Sequence, residues 1–324
     1  MHSRFSGGRT VFALALTATL SLSALPAAAD SILFVGNSFT YGEPAGGSPS
    51  IQNYNANSVT DLNGLGIGGV PALFKAFTEQ AGLNYTVSLE TAPGQGLDYH
   101  YTNKLALLDK PWDHVVLQSY STLDASNPGN PAKLIQYAGL FANLLTAQNP
   151  NVDINLTATW SRADLTYRTQ SPWLGKPIDA MQADVQQGYE QAKASNASIN
   201  RVLEVGGAWN DAIQSGLADA DPYDGVSTGL NLWAPDNYHA SVFGYYLEAL
   251  VVFGNVTGVD PLSLGANERV ARDYGFTAEQ TLALQRVAHG RVSVPEPSSL
   301  LLMGTALAGL GWVRRRRGAA AARA

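Results

Sequence analysis

Short apolar segments alternate with longer helical segments along most of this chain, and that alternation restricts its possible folds more than any other feature. The segments that predict buried strands are rich in β-branched and aromatic residues; they span residues 31–35, 85–89, 115–117, 152–158 and 202–205. The segments that predict helices span 71–81, 97–108, 131–147, 177–195 and 241–253. Such alternation indicates a parallel sheet covered on both faces. We therefore predict an α/β fold: a flavodoxin-like doubly wound domain with a five-stranded parallel sheet, and a long loop over 41–69.

In sheets of this kind ligands bind outside the carboxyl ends of the strands. Five residues fall just past the ends of predicted strands, and we expect them to collect at one edge: Ser38, Gly94, Gln118, Trp160 and Trp209. This edge is the predicted functional site.

Both ends of the chain have the composition of targeting segments. Residues 1–29 begin with arginines, continue with an apolar stretch and finish with small residues before Asp30, which predicts a secretory signal peptide. Residues 294–324 contain Pro295-Glu296-Pro297, then an apolar run, then four arginines. The run is shorter than the roughly 20 residues of a comfortable membrane helix, and the arginines would hold its end in the cytoplasm.

This C-terminal arrangement resembles the PEP-CTERM sorting signal of Gram-negative bacteria. The resemblance implies recognition and cleavage by an exosortase after signal peptidase has acted. The chain would then insert transiently in the inner membrane and finish at the cell surface or in the extracellular matrix. An ordinary C-terminal membrane anchor is the alternative.

Residues 30–293 remain as one predicted domain, long enough for a substantial core. This body has 13 basic and 25 acidic residues, a net charge of −12, which argues against nucleic acid as a partner. The chain has no cysteine, which excludes disulfides, thiolate catalysis and Cys-ligated metals.

The turn Gly36-Asn37-Ser38 follows the first predicted strand, where a serine hydroxyl can be presented at the sheet edge as a nucleophile. Near the end of the domain, Asp236 precedes His239 by three residues, so the two side chains are expected to face the same way. Asp236 could then orient His239 as the base that activates Ser38. The alternative is a turn serine, a helix-capping aspartate and a surface histidine.

Together these blocks resemble the SGNH (GDSL-like) hydrolases over nearly all of residues 31–253. The resemblance implies that Ser38 is the nucleophile, His239 the general base and acid, and Asp236 its orienting carboxylate. It also implies a carboxylic ester substrate and no cofactor. The first block has Gly-Asn-Ser in place of Gly-Asp-Ser, which keeps the nucleophile.

The chain departs from the family at the oxyanion hole, because it has no Gly-x-Asn-Asp block. Gln118, after the third predicted strand, offers the same carboxamide donor on a longer stem, and we predict that it fills this role. The other predicted donors are the backbone amides of Ser38 and Gly94. A capping or loop role for Gln118 and a plain turn role for Gly94 are the alternatives.

Several other residues are predicted to line a substrate pocket, although core packing is an alternative for most of them: Asn37, His100, Trp160, Trp209 and Trp233. Asp219, Asp221 and Asp224 hint at calcium, but their spacing fails the EF-hand pattern, so we predict no metal site.

These observations predict an exported serine esterase that acts through an acyl-enzyme, with an acyl (acetyl) ester on a carbohydrate as substrate. A lipase-like or aryl esterase is one alternative. A non-catalytic surface or matrix binding protein that retains the fold is another.

Overall fold

A computed structural model describes residues 29–45 and 49–292, and within them six strands form one parallel sheet. The strands are β1 (Asp30–Gly36), β2 (Thr60–Asp61), β3 (Tyr85–Thr91), β4 (His114–Leu117), β5 (Asp153–Thr157) and β6 (Ile199–Leu203). Their order across the sheet is β2-β3-β1-β4-β5-β6. The parallel α/β fold predicted from the alternating pattern is therefore confirmed.

Without β2, the order of the sheet is that of a flavodoxin-like doubly wound domain. From β1 the chain moves outward to β3 and then returns to β4 on the other side of β1. The order reverses between β1 and β4, and such a switch point opens a crevice at the carboxyl ends of the strands. Ser38 and Gln118 follow these two strands.

The sixth strand, β2, lies inside the segment 41–69 that the sequence predicted to be a loop. It pairs with β3 through two residues only, Thr60 with Ser88 and Asp61 with Leu89. Two residues cannot display the alternation that identifies a strand, which explains the difference in strand number.

Eleven α-helices connect and cover the strands within the described residues. They are α1 (Ser38–Tyr41), α2 (Gly69–Gln80), α3 (Leu97–Asn103), α4 (Leu105–Leu108), α5 (Ala132–Gln148), α6 (Ala163–Tyr167), α7 (Asp179–Ser195), α8 (Val205–Gln214), α9 (Val242–Thr257), α10 (Arg269–Asp273) and α11 (Ala278–His289). Two 3-10 helices span Ala56–Ser58 and Pro261–Leu264.

Alternate residues of β1 belong to two separate cores, one on each face of the sheet. Ile32 and Phe34 pack in the core formed with α2, α8 and α9. Leu33 and Val35 pack in the core formed with α3, α5 and α7. Because successive strand residues point to opposite faces, this division follows directly from the apolar run of β1.

Two predicted boundaries were wrong. The helix predicted over 97–108 is interrupted at Lys104 and forms α3 and α4. The last strand lies at Ile199–Leu203 rather than 202–205, since Val205 already begins α8.

No helix among the described residues is long and apolar enough to cross a bilayer. The predicted signal peptide, apart from Ala29, and the predicted sorting segment lie outside the described residues.

Candidate active site

The side chain of Asn37 stabilises the turn that carries Ser38. Asn37 is the N-cap of α1, and its Oδ1 accepts a hydrogen bond from the Phe39 amide at 3.1 Å. A Cβ at Gly36 would lie 2.2 Å from Thr40 Oγ1 and 2.7 Å from Gln118 Oε1. Only glycine fits at that position, so the sequence Gly-Asn-Ser is explained by a crowded turn at the end of β1.

Asn37 also joins the loops that follow three neighbouring strands. Its Nδ2 donates to the carbonyl oxygen of Gln95 at 2.8 Å, after β3, and to that of Ser119 at 3.2 Å, after β4. The predicted meeting of these loops at one edge is therefore observed.

Gly94 lies in the loop after β3 with a φ of 68°, in the left-handed region that favours glycine. A Cβ at Gly94 would meet no atom within 4 Å, so the conformation and not crowding requires glycine here.

Asp236 and His239 form a hydrogen-bonded pair. Asp236 Oδ2 lies 2.6 Å from His239 Nδ1, and Asp236 Oδ1 accepts from the backbone amides of Tyr238 at 3.1 Å and His239 at 3.0 Å. Asn237, inside the turn, has a φ of 56°, a conformation that asparagine tolerates. Burial raises the pKa of Asp236, but the hydrogen bonds from the imidazole and the two amides outweigh burial, and its pKa is lowered.

Several contacts hold this pair against the Ser38 turn. The Phe39 ring lies 5.9 Å from the His239 ring and 5.6 Å from the Tyr238 ring, measured between centroids. The hydroxyl of Tyr245, on α9, donates to the carbonyl oxygen of Ser38 at 3.0 Å. The chain thus brings residues from its two ends to one place, and Ser38 and His239 are both buried there.

Gln118 is buried in the same place, but its carboxamide is bonded to the turn. Its Oε1 accepts from the Asn37 amide at 2.9 Å and from the Thr40 hydroxyl at 3.2 Å, and its Nε2 donates to the Ser119 carbonyl. These bonds match the alternative of a residue that fixes the loop.

A pocket of about 250 Å³ opens at the turn that carries Ser38, where Asn37 forms part of its wall. Its walls include Asn37 and Gly94 from the predicted site, and Tyr238, which precedes His239. Most of its other side chains are polar or aromatic: Tyr120, Ser121, Thr122, Arg162, Gln170 and Ser171, with Ala125, Pro128 and Leu165.

The three tryptophans predicted to line the pocket lie in the core instead. Trp160, Trp209 and Trp233 are each at most 1% exposed, and Trp160 stacks on Trp209 with ring centroids 4.5 Å apart. None of them lines the pocket, so they serve as large apolar filling between the sheet and α9.

His100 is also fully buried and away from the pocket wall. Its Nδ1 is hydrogen-bonded to Glu90, a buried carboxylate on β3. Asn63 Nδ2 also donates to Glu90, at 3.1 Å, and Lys104 Nζ lies 4.0 Å from it. Burial raises the pKa of Glu90, but these partners, His100 first among them, lower it overall. The alternative of a packed helix histidine fits this position.

Arg162 and Tyr238 are pocket residues that the sequence prediction missed. The guanidinium carbon of Arg162 lies 3.5 Å from the centre of the Tyr238 ring, and that ring stacks on His239 at 3.9 Å. Tyr238 could have been found from its place between Asp236 and His239. Arg162 carries no local signal.

Within the described part of the chain, no group of three or more histidine, aspartate or glutamate side chains is arranged to hold a metal ion.

Comparison with known proteins identified one sequence motif and several structures of similar fold. Residues 293–317 match the PEP-CTERM protein-sorting motif, which indicates export and sorting to the cell surface. A search of curated proteins found no significant match.

Among solved structures, a DUF4886 family protein from Bacteroides uniformis is 16% identical, with a TM-score of 0.53, over 81% of this chain and 94% of its own. This likeness supports the fold. A family 3 carbohydrate esterase from Clostridium thermocellum is 16% identical, with a TM-score of 0.44, over 71% of this chain and 96% of its own. A phospholipase A1 from Streptomyces albidoflavus is 11% identical, with a TM-score of 0.39, over 69% of this chain and 98% of its own.

Proposed function

We propose that this chain is an exported serine esterase with Ser38, His239 and Asp236 as its catalytic residues. The observation that carries the proposal is the Asp236–His239 hydrogen bond of 2.6 Å, held against the turn that contains Ser38 at the switch point of a parallel sheet. A binding module would have no use for an oriented acid–histidine pair beside a serine.

In this mechanism Ser38 Oγ attacks the ester carbonyl carbon, and His239 Nε2 takes the hydroxyl proton. Asp236 keeps the proton of His239 on Nδ1 and stabilises the imidazolium. His239 then gives the proton to the departing alcohol, which leaves an acyl-enzyme. Water attacks the acyl group by the same route and regenerates Ser38.

The backbone amides of Ser38 and Gly94 are the oxyanion donors in this proposal. Within the described residues neither N–H has a hydrogen-bond acceptor, so both remain available to a substrate oxygen. Gln118 Nε2 already donates to Ser119, so we assign Gln118 to holding the turn. Donors of this kind act on charge that develops only in the transition state.

The substrate that the pocket favours is a small acyl group, such as acetyl, on a carbohydrate. A volume of about 250 Å³ and walls rich in hydroxyl and amide groups suit a sugar ring better than a long acyl chain. A lipase-like or aryl esterase remains the competing activity.

The test is a fluorophosphonate probe followed by a panel of esters on the purified protein. We expect labelling at Ser38 alone, hydrolysis of acetylated oligosaccharides, and no turnover by Ser38→Ala or His239→Ala. Faster hydrolysis of a palmitoyl or aryl ester would favour the competing activity. Absence of both labelling and hydrolysis would favour a binding protein.

We also propose that signal peptidase and an exosortase process the chain, with the C-terminal segment held transiently in the inner membrane. The PEP-CTERM match at 293–317 supports this step. In a host with an exosortase, the intact mass of the exported protein should lack Arg314 to Arg317. Replacing Pro295, Glu296 and Pro297 by alanine should retain the full chain in the inner membrane. A full-length chain as the final form would favour a plain anchor.

A further inference from the structure

Arg162 is the only charged side chain among the described residues that line the pocket. The other walls are neutral, and the domain as a whole is acidic, so an anion would be repelled from most of the surface. Arg162 is itself paired with Asp164, so the pocket offers an anion a free N–H of a guanidinium rather than an unpaired charge.

The guanidinium group of Arg162 is held by two contacts that leave one nitrogen available. Its Nε and Nη2 donate to Asp164 Oδ1 and Oδ2 at 3.1 and 2.6 Å, and its carbon lies 3.5 Å from the centre of the Tyr238 ring. In the part of the chain that the structure describes, Nη1 has no acceptor. Because the guanidinium is already fixed, the Arg162 side chain would lose less conformational entropy when a ligand binds to Nη1.

The position of Arg162 is also fixed relative to the catalytic turn. The Asp164 amide donates to the carbonyl oxygen of Asn237 at 3.1 Å, and Asn237 lies between Asp236 and His239. Tyr238 bridges the two sites, since its ring contacts the guanidinium and stacks on His239. A group bound by Arg162 would therefore stand at a set distance from the ester attacked by Ser38.

We propose that Arg162 binds a carboxylate of the substrate, so that the preferred ester is an acylated acidic sugar such as an O-acetylated uronate. This inference rests on the proposed function, because it names the substrate class of the same site. Since Asp164 already occupies Nε and Nη2, the substrate carboxylate would accept a charge-assisted hydrogen bond from Nη1. The polar walls of the pocket would bind the sugar hydroxyls.

The test compares O-acetylated glucuronate with O-acetylated glucose, which differ only in the carboxylate. A monosuccinyl ester of glucose places the carboxylate on the acyl side and distinguishes the two possible positions. We expect kcat/KM to be higher for the glucuronate ester, and Arg162→Gln to reduce this preference by about 10- to 100-fold, as for a lost hydrogen bond to a charged group. Salt should reduce the preference of the wild type.

Two further variants separate binding from folding and from general charge. Arg162→Lys keeps the charge and should retain part of the preference, with its melting temperature checked against the wild type. Arg269→Gln removes a guanidinium that is paired with Glu79 outside the pocket wall, and it should leave the preference unchanged. A wild type without preference, or an equal loss on both esters in Arg162→Gln, would overturn the inference.

Binding to Ser38→Ala keeps this inference distinguishable from the proposed function. We expect calorimetry to show that Ser38→Ala binds O-acetylated glucuronate more tightly than O-acetylated glucose, and that adding Arg162→Gln removes the difference. If no ester is hydrolysed but this difference holds, the esterase proposal fails and the carboxylate site stands. If esters are hydrolysed but the difference in binding is absent, the esterase proposal stands and the carboxylate site fails.

Discussion

The hydroxyl of Tyr245 donates a hydrogen bond of 3.0 Å to the carbonyl oxygen of Ser38, although the two residues are 207 positions apart. Tyr245 lies on α9, which begins three residues after His239. The bond therefore connects the turn of the proposed nucleophile to the helix that follows the proposed base. Because both residues are buried, the contact is shielded from water.

Replacement of Tyr245 by phenylalanine should lower kcat/KM by about threefold to tenfold, because the Ser38 turn loses its hydrogen bond to α9 while the carbonyl keeps only the local amides of Gly42 and Glu43. A small fall in melting temperature should accompany it. The matched control is Tyr246→Phe, whose hydroxyl accepts from Gln285 at 3.4 Å instead. Tyr246→Phe should affect stability but not activity. An equal loss of activity in both variants would show that the Tyr245 contact has no specific role.

Asp236→Asn should lower kcat by about 10³- to 10⁴-fold with little change in fold, because the amide would no longer keep the proton on His239 Nδ1. The hydrogen bonds that lower the pKa of Asp236 keep this carboxylate charged at mildly acidic pH. The acidic limb of the activity profile should therefore show one ionisation, that of the base, which must be neutral to accept a proton. Rates of hydrolysis measured between pH 4 and 9 test this, and a second ionisation in the acidic limb would contradict it.

Gln118→Ala should lower both the melting temperature and kcat. The change leaves the Asn37 amide and the Thr40 hydroxyl without their acceptor, at a cost of about 1–3 kcal/mol for each unsatisfied buried group. Thermal unfolding and kinetics of the same preparation test this expectation. Thr40→Val removes only one of the two bonds and should have a smaller effect in the same direction. Unchanged stability with a fall in kcat alone would instead restore Gln118 as an oxyanion donor.

The fold and part of the site could be predicted because they depend on local patterns. The strands β1 and β4 are apolar runs, and β3 alternates apolar with polar residues. Asp236 and His239 are close enough in sequence for their spacing to bring the side chains together. Their catalytic role stays a prediction.

The errors concern contacts between distant segments. Trp160 follows a strand, yet its ring points into the core and stacks on Trp209. No pattern within either segment predicts this direction. Arg162 reaches the pocket only because the chain returns with Tyr238 beside it. A position just past a strand predicts the edge at which a residue lies, but not the direction of its side chain.

Glu248→Gln should stabilise the protein at neutral pH. Glu248 lies in α9 and is 2% exposed, and its Oε2 has no hydrogen-bond partner within the described residues. Burial raises its pKa well above the ordinary value, which favours the neutral form of Glu248 in the folded protein. A group whose pKa is higher in the folded protein makes its full contribution to stability only below its pKa in the unfolded chain. That contribution declines as the pH rises toward its pKa in the folded protein.

The wild type should therefore lose stability relative to Glu248→Gln as the pH rises above about 4.3, by at most about 1.4 kcal/mol per pH unit. Glutamine has nearly the shape of protonated glutamate and does not titrate, so the two proteins should be similar at pH 4 and diverge toward pH 8. Urea unfolding at each pH measures the difference. Glu79→Gln, on the exposed end of α2, is the control and should produce no such divergence. If the two curves stay parallel between pH 4 and 8, Glu248 is ionised in the folded protein and a partner must stabilise its charge.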